Sequence, residues 1–382
     1  MVVYANHAGT SWPKPAVVAP VVAAALQASP QSAGERFAAA HAAIAAGLGL
    51  PAPDRLLLTT SCTAALAVAI GDLPWQPDDV VVTSGFEHHA LVRPVQQLAP
   101  RGVRHVVVPP GGGQPIDLAL VEATLRAGRV RLLAVCGASN VTGEVMPIAA
   151  LARLAKAHGA QLLLDAAQTA GVTSGAVGCV DADGAGDAAA ARPDLVVFAG
   201  HKGLLGPLGL GGLWAAPEVA FACPAASCEV GAGGVAAGRR LRPYPGFCDV
   251  GSVNLPAAQG LAAALAWAAA QPPAERRQPR ALAARLRAAC RQRPFCRVLG
   301  GAGPHTGATA VVIAGLPLAN AEAHFEAHGI VVRAGQHCAP LALQTLGAPD
   351  GVLRISFGHG NVDADVDAVL AAIDATQVAA GR

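Results

Sequence analysis

The sequence predicts an α/β fold, with a mostly parallel sheet in a large domain and a smaller α+β C-terminal domain. Three observations lead there. Short β-branched or leucine-rich runs alternate with helical stretches over much of the chain, which is the pattern of βαβ units. At 382 residues, with 53% hydrophobic and 14% charged residues, the chain exceeds one ordinary domain and can bury a large core. Chemistry-bearing residues also stand directly after the apolar runs, and ligands of parallel sheets gather at the carboxyl ends of strands.

Taken in order, helical spacing predicts helices over 17–28 and 34–48. A strand follows at Leu56–Thr59, where Leu58-Thr59-Thr60-Ser61-Cys62-Thr63 turns from an apolar run into small and hydroxyl residues that open a helix. The amides and dipole at such a helix start favour a phosphate, although an ordinary helix cap has the same local appearance. Further strands are expected at 80–83, 105–108, 132–135 and 161–164, with a helix over 148–158 between the last two. The stretch 181–192, rich in Ala, Gly and Asp between strand signals, reads as a surface excursion. After the run Asp194-Leu195-Val196-Val197 and a helix over 256–270, the basic stretch from Pro272 to Pro279 reads as proline-broken, leading into the smaller domain. Strands at Ala308–Ile313, 330–332 and Val352–Ser356 and helices over 319–328 and 362–373 complete that domain. The large domain is expected to span 16–255, and the small one 1–15 together with 256–382.

Two strand ends carry the chemistry. Phe198-Ala199-Gly200-His201-Lys202-Gly203 puts a lysine beside a histidine in a glycine-rich loop, where partial desolvation lowers the amine's pKa and frees it to form a Schiff base. Leu162-Leu163-Leu164-Asp165-Ala166-Ala167-Gln168 ends a strand with a carboxylate suited to a pyridinium nitrogen. Together they point to pyridoxal phosphate. Either motif alone is weak, since a lysine in such a place is more often solvated and an aspartate more often a cap.

The segment Arg333-Ala334-Gly335-Gln336-His337-Cys338-Ala339-Pro340, followed by Arg354-Ile355-Ser356 and Asn361, makes the pattern specific. With the two strand-end motifs it resembles the cysteine desulfurase and selenocysteine lyase branch of the class V aminotransferases, from Tyr4 to about Asp367. The resemblance implies a fold-type-I pyridoxal phosphate enzyme with a seven-stranded-type large sheet, whose small domain takes in the first residues, and a homodimer. It assigns Lys202 to the cofactor aldehyde, Asp165 to the ring nitrogen, Cys62, Thr63 and His201 to the phosphate, and Asn140 and Gln168 to the phenolic oxygen. His88, in Phe86-Glu87-His88-His89-Ala90, is placed against the ring, as suits a flat imidazole that can shuttle protons. Arg354 would fork the substrate α-carboxylate, which a planar bidentate donor suits better than lysine does. Asn140 and Arg333 join it as substrate residues. Cys338 would be the nucleophile, with His337 and Arg333 expected to lower its pKa.

Three departures from the family pattern stand out. Ala199 replaces a phosphate-binding Ser, and Ala67 an Asn. The loop Asp249-Val250-Gly251-Ser252-Val253-Asn254 has shorter side chains, and its Ser252 keeps the hydroxyl that relatives offer to a neighbouring subunit's phosphate. The implied function is conversion of L-cysteine to L-alanine with a persulfide on Cys338 for an acceptor. A selenocysteine lyase or other lyase on the same scaffold, and a degenerate scaffold without turnover, remain open alternatives. A transaminase would leave the Cys338 segment unexplained, and Gly206-Pro207-Leu208-Gly209-Leu210-Gly211-Gly212 is a poor dinucleotide loop without a following acidic residue.

A net charge of +2 gives no polyanion surface, and the arginines of 275–297 read as solvated helix faces, so no nucleic acid is expected. No apolar run reaches membrane-spanning length and the first residues lack a signal-peptide pattern, so a cytoplasmic location is expected. The nine cysteines form no CxxC pair, which points to no metal site and to mostly small core residues in a reducing compartment.

Overall fold

The computed structural model describes residues 2–172, 192–222, 244–245 and 252–380. Its larger sheet has seven strands in the order Leu56–Thr59, Gly211–Ala215, Leu195–Ala199, Gln161–Asp165, Val130–Cys136, Val80–Ser84 and Arg104–Val108. Only Gly211–Ala215 runs against the others, pairing antiparallel with both neighbours. The central strands are buried along nearly their whole length, which is why they read as unbroken apolar runs rather than as alternations. The helices Cys62–Gly71, His89–Gln96 and Ile148–Ala157 follow strands of this sheet, so each starts near a strand's carboxyl end.

A second sheet, wholly antiparallel, has the order Arg333–Gly335, Val352–Ser356, Ala308–Ile313, Cys296–Leu299. Leu282 and Leu286 from helix Pro273–Arg291, Phe325 from helix Leu318–Ala327, and Val366 and Ile373 from helix Asp363–Ala380 bury its apolar face in a core of its own. The first residues join this half, as expected: Val3–Tyr4 pairs in parallel with Ile330–Val331.

The structure corrects three expectations. The stretch from Pro272 to Pro279 is not broken: helix Pro273–Arg291 runs through Pro279. Pro273 sits in the first turn, where no N–H is needed, and the carbonyl that Pro279 leaves unserved, that of Glu275, also lies in the first turn near the helix end. Arg287 of that helix is not a solvated face but 8% exposed, donating to the Ala308 carbonyl at 3.3 Å. The strand Gly211–Ala215 was hidden in a glycine-rich run. A Cβ on Gly211 would stand 2.5 Å from the Cys62 nitrogen, and one on Gly212 2.4 Å from the Phe198 ring, so close backbone approach requires glycine at both places. Nearly all of the surface excursion at 181–192, and Asp249 to Gly251, lie outside the described residues.

Candidate active site

The carboxyl ends of five strands, four of them neighbours, open on one cleft of about 400 Å³ lined by Cys62, Thr63, His88, Asn140, Asp165, Gln168 and Lys202. Parallel strands put their last residues on one edge, which is how side chains far apart in sequence meet.

Lys202 follows Leu195–Ala199 by three residues, and burial lowers its pKa, with Asp165 opposing the shift. Asp165 is 5% exposed; its Oδ1 accepts from the Ala167 N–H at 2.9 Å and the Cys62 thiol at 3.6 Å. Burial raises both the Asp165 carboxyl and the Cys62 thiol, the thiol well above its ordinary value. Cys62 therefore offers the cleft a helix-start N–H, while its sulfur is turned to Asp165. Ser61 caps this helix by accepting from the Ala64 N–H at 3.1 Å, and Thr63 stands exposed in its first turn.

His88 caps helix His89–Gln96, its Nδ1 accepting from the Ala90 N–H at 3.0 Å. Burial, then the positive charge of Lys202, push its pKa down to about 4, so the neutral ring carries its proton on Nε2. Glu87, which the sequence reading passed over, lies fully buried beneath, taking the Ser84 hydroxyl at 2.5 Å and the Cys136 N–H at 2.8 Å; burial holds its pKa up at about 8. Its neighbour in Glu-His was the available signal. His201 hydrogen-bonds Thr10 Oγ1 through Nδ1 at 3.0 Å, its pKa also lowered to about 4 by burial. Gln168 donates to the Ala8 carbonyl at 2.9 Å.

The smaller sheet contributes Arg354, 5% exposed, which donates through Nη1 to the Asn140 carbonyl and through Nη2 to Asn6 Oδ1, each at 3.0 Å. The loop 336–339 is stitched to the larger half by two bonds of 2.8 Å: the His89 N–H to the Cys338 carbonyl, and the Asn140 amide to the His337 carbonyl. His337 and Cys338 both adopt left-handed backbone, at φ 52° and 54°, and Cys338 is exposed. Such a pair costs about 1 kcal/mol per residue, and these tethers oppose that cost. A Cys338 thiolate would lie close enough to raise the pKa of both Lys202 and Arg354.

The expected activators of Cys338 are placed otherwise. His337 bonds the Val352 carbonyl at 3.0 Å, and burial lowers its pKa to about 4, so it is no cation. Arg333 is exposed and paired with Glu322 at 3.2 Å, whereas Arg354 is a buried cation beside Asn140. Ser252 is exposed and absent from the cleft lining of its own chain. Asn140 Oδ1 and Arg354 Nε are buried with no hydrogen-bond partner among the described residues, the condition of a site built to receive polar atoms from elsewhere.

The class-V aminotransferase family model matches residues 19–369. A probable cysteine desulfurase of Pseudomonas aeruginosa is 34% identical over 361 residues, covering 89% of this chain and 84% of that protein. Among solved structures, the apo cysteine desulfurase of Thermococcus onnurineus superposes with a TM-score of 0.87 at 25% identity, over 100% of this chain and 95% of that one. The Escherichia coli cysteine desulfurase CsdA superposes with a TM-score of 0.84 at 26% identity, over 99% and 95%. With Lys202, Asp165, His88 and Arg354 gathered at the strand ends of this fold, the chain belongs to the class-V aminotransferase family.

Proposed function

We propose that the protein is a pyridoxal phosphate-dependent cysteine desulfurase that converts L-cysteine to L-alanine and keeps the sulfur as a persulfide on Cys338. The observation that carries this reading is the tethered loop 336–339, whose exposed thiol stands near enough for its charge to act on Lys202 and Arg354. The donor set fits the cofactor: a buried carboxylate for a ring nitrogen, a partly desolvated lysine, a helix start for a phosphate, and an unpartnered amide oxygen on Asn140. When bound, pyridoxal phosphate supplies an aldehyde and an electron-withdrawing ring.

Around it, Asp165 keeps a proton at the ring nitrogen, and His201, Thr63 and the first N–H groups of helix Cys62–Gly71 hold the phosphate. Asn140 and Gln168 would serve the phenolic oxygen, and neutral His88 would lie against the ring with its Nε2 proton free for transfer. Arg354 keeps Nε–H and its remaining Nη hydrogens for the substrate α-carboxylate, since Asn140 and Asn6 occupy one N–H on each Nη. Lys202, its pKa lowered by burial, moves the proton from the substrate α-carbon. The Cys338 thiolate then attacks the substrate sulfur: an S–S bond forms, the substrate C–S bond breaks with its electron pair left on carbon, and protonation of that carbon gives alanine. Cysteine plus a thiol becomes alanine plus a persulfide, with no external oxidant.

Exposure of Cys338 leaves the persulfide open to an acceptor thiol. A homodimer would account for exposed Ser252 and Val253, giving the Ser252 hydroxyl a second copy's phosphate to serve. The experiment is mass analysis after a single turnover with L-cysteine: one added sulfur on the peptide containing Cys338 is expected. Sulfur on another cysteine, or protein that stays colourless with pyridoxal phosphate, would overturn the reading.

A further inference from the structure

One carbonyl oxygen, that of His201, draws four donors from the first residues of the chain. The Ser11 N–H lies at 3.1 Å, Thr10 Oγ1 at 3.1 Å, Ser11 Oγ at 3.0 Å and Lys14 Nζ at 2.7 Å. Lys14 Nζ also donates to Ser11 Oγ at 2.7 Å. A carbonyl has two lone pairs, so these donors compete, and the ammonium is both the nearest and the only one with a full charge.

Lysine heads normally sit in water. Lys14 is instead partly buried, with burial lowering its pKa to about 8, and no carboxylate lies within ion-pair distance among the described residues. Withdrawing a cation from water without an anion is unfavourable; what it gains here is the oxygen of the peptide that joins His201 to Lys202. That peptide is planar, so fixing its oxygen fixes the Lys202 N–H and the place from which the side chain sets out. On the far side, Leu205 N–H to the Lys202 carbonyl at 2.9 Å and Gly206 N–H to the Gly200 carbonyl at 2.8 Å close the loop.

We propose that Lys14 is a positioning residue whose ammonium, with Ser11, clamps the His201 carbonyl and so sets where the Lys202 amine enters the cleft. The proposal rests on the reading of Lys202 as the cofactor-bearing lysine. Reactive groups must be held to a fraction of an ångström, and a flexible loop alone does not do that.

The test measures hydrogen exchange of the 200–206 peptide in protein free of cofactor. Lys14→Met should speed that exchange roughly tenfold, as loss of a hydrogen bond to a charged donor implies, while the strand Val130–Cys136 exchanges as before. Lys14→Arg should restore protection, and Ser11→Ala should fall between. With pyridoxal phosphate added, the pH titration of its absorbance should shift in Lys14→Met and return in Lys14→Arg. Wild-type exchange in folded Lys14→Met, or loosening of the whole sheet along with the loop, would overturn the clamp. Because the exchange arm needs no cofactor, it decides the clamp even if wild-type protein fails to bind one, a result that would sink only the cofactor reading.

Discussion

Single substitutions separate the work of Lys202 from that of Cys338. Cys338→Ala should keep the absorbance of the bound cofactor, because Asp165, Lys202 and Arg354 are untouched, and lose all sulfur transfer to the protein; undiminished desulfurase activity in that variant would move the nucleophile elsewhere. Arg354→Lys should raise KM for L-cysteine about tenfold or more with the absorbance unchanged, since an ammonium replaces a planar fork. A KM equal to wild type would show that the carboxylate binds elsewhere. Lys202 and Asp165 stand out in the sequence because each closes an apolar run with a residue that has no packing reason to be there, and Cys338 because Gly335-Gln336-His337 give it polar, loop-like surroundings. The contact of Lys14 with His201 carries no sequence signal, since 187 positions separate them and only the fold brings them together. That His337 is a buried neutral ring and that Arg333 pairs with Glu322 was equally hidden, since sequence neighbours of a thiol need not face it.

The helix Cys62–Gly71 bears on the phosphate through its start. Ser61→Ala removes the bond to the Ala64 N–H and should lower stability by about 1 kcal/mol in a denaturation titration; no change would mean that the cap is not formed in solution. Apolar periodicity found most helices to within a few residues, because their buried faces are uninterrupted. It missed Gly211–Ala215, where glycine is demanded by the strand's closeness to Cys62 and Phe198 and therefore mimics a loop. It also read 272–279 as broken, where a helix runs on through Pro279 with Leu282 and Leu286 packed in the core.

Across the molecule, five histidines, His7, His88, His201, His305 and His337, have pKa values lowered to about 4, burial being the largest cause in each. In the unfolded chain they titrate near 6.5. Their contribution to stability is fully present above about 6.5 and is lost as pH falls toward 4, because the unfolded chain then binds the protons that the folded one refuses. Glu87, raised to about 8, works in the opposite sense, holding one proton in the folded state that the unfolded chain releases above about 4.5. Five groups outweigh one. The denaturation midpoint should drop between pH 7 and pH 5 by an amount worth several kcal/mol, even with allowance for partial exposure; equal midpoints would show these imidazoles to be open to water.

Asn6 holds Arg354, and Ser11 and Lys14 hold the loop of Lys202, so two reactive ends 152 positions apart in the sequence are joined by a segment of five to eight residues. That segment acts as a gauge. It helps set the gap between the Arg354 guanidinium and the loop of Lys202, a span that the carboxylate and α-carbon of every α-amino acid share whatever the side chain. Adding one glycine between Gly9 and Thr10 would lengthen the gauge by up to about 3.5 Å while leaving every side chain in the cleft unchanged. The spacing that any α-amino acid must fit is thus written partly in a stretch of chain outside the cleft.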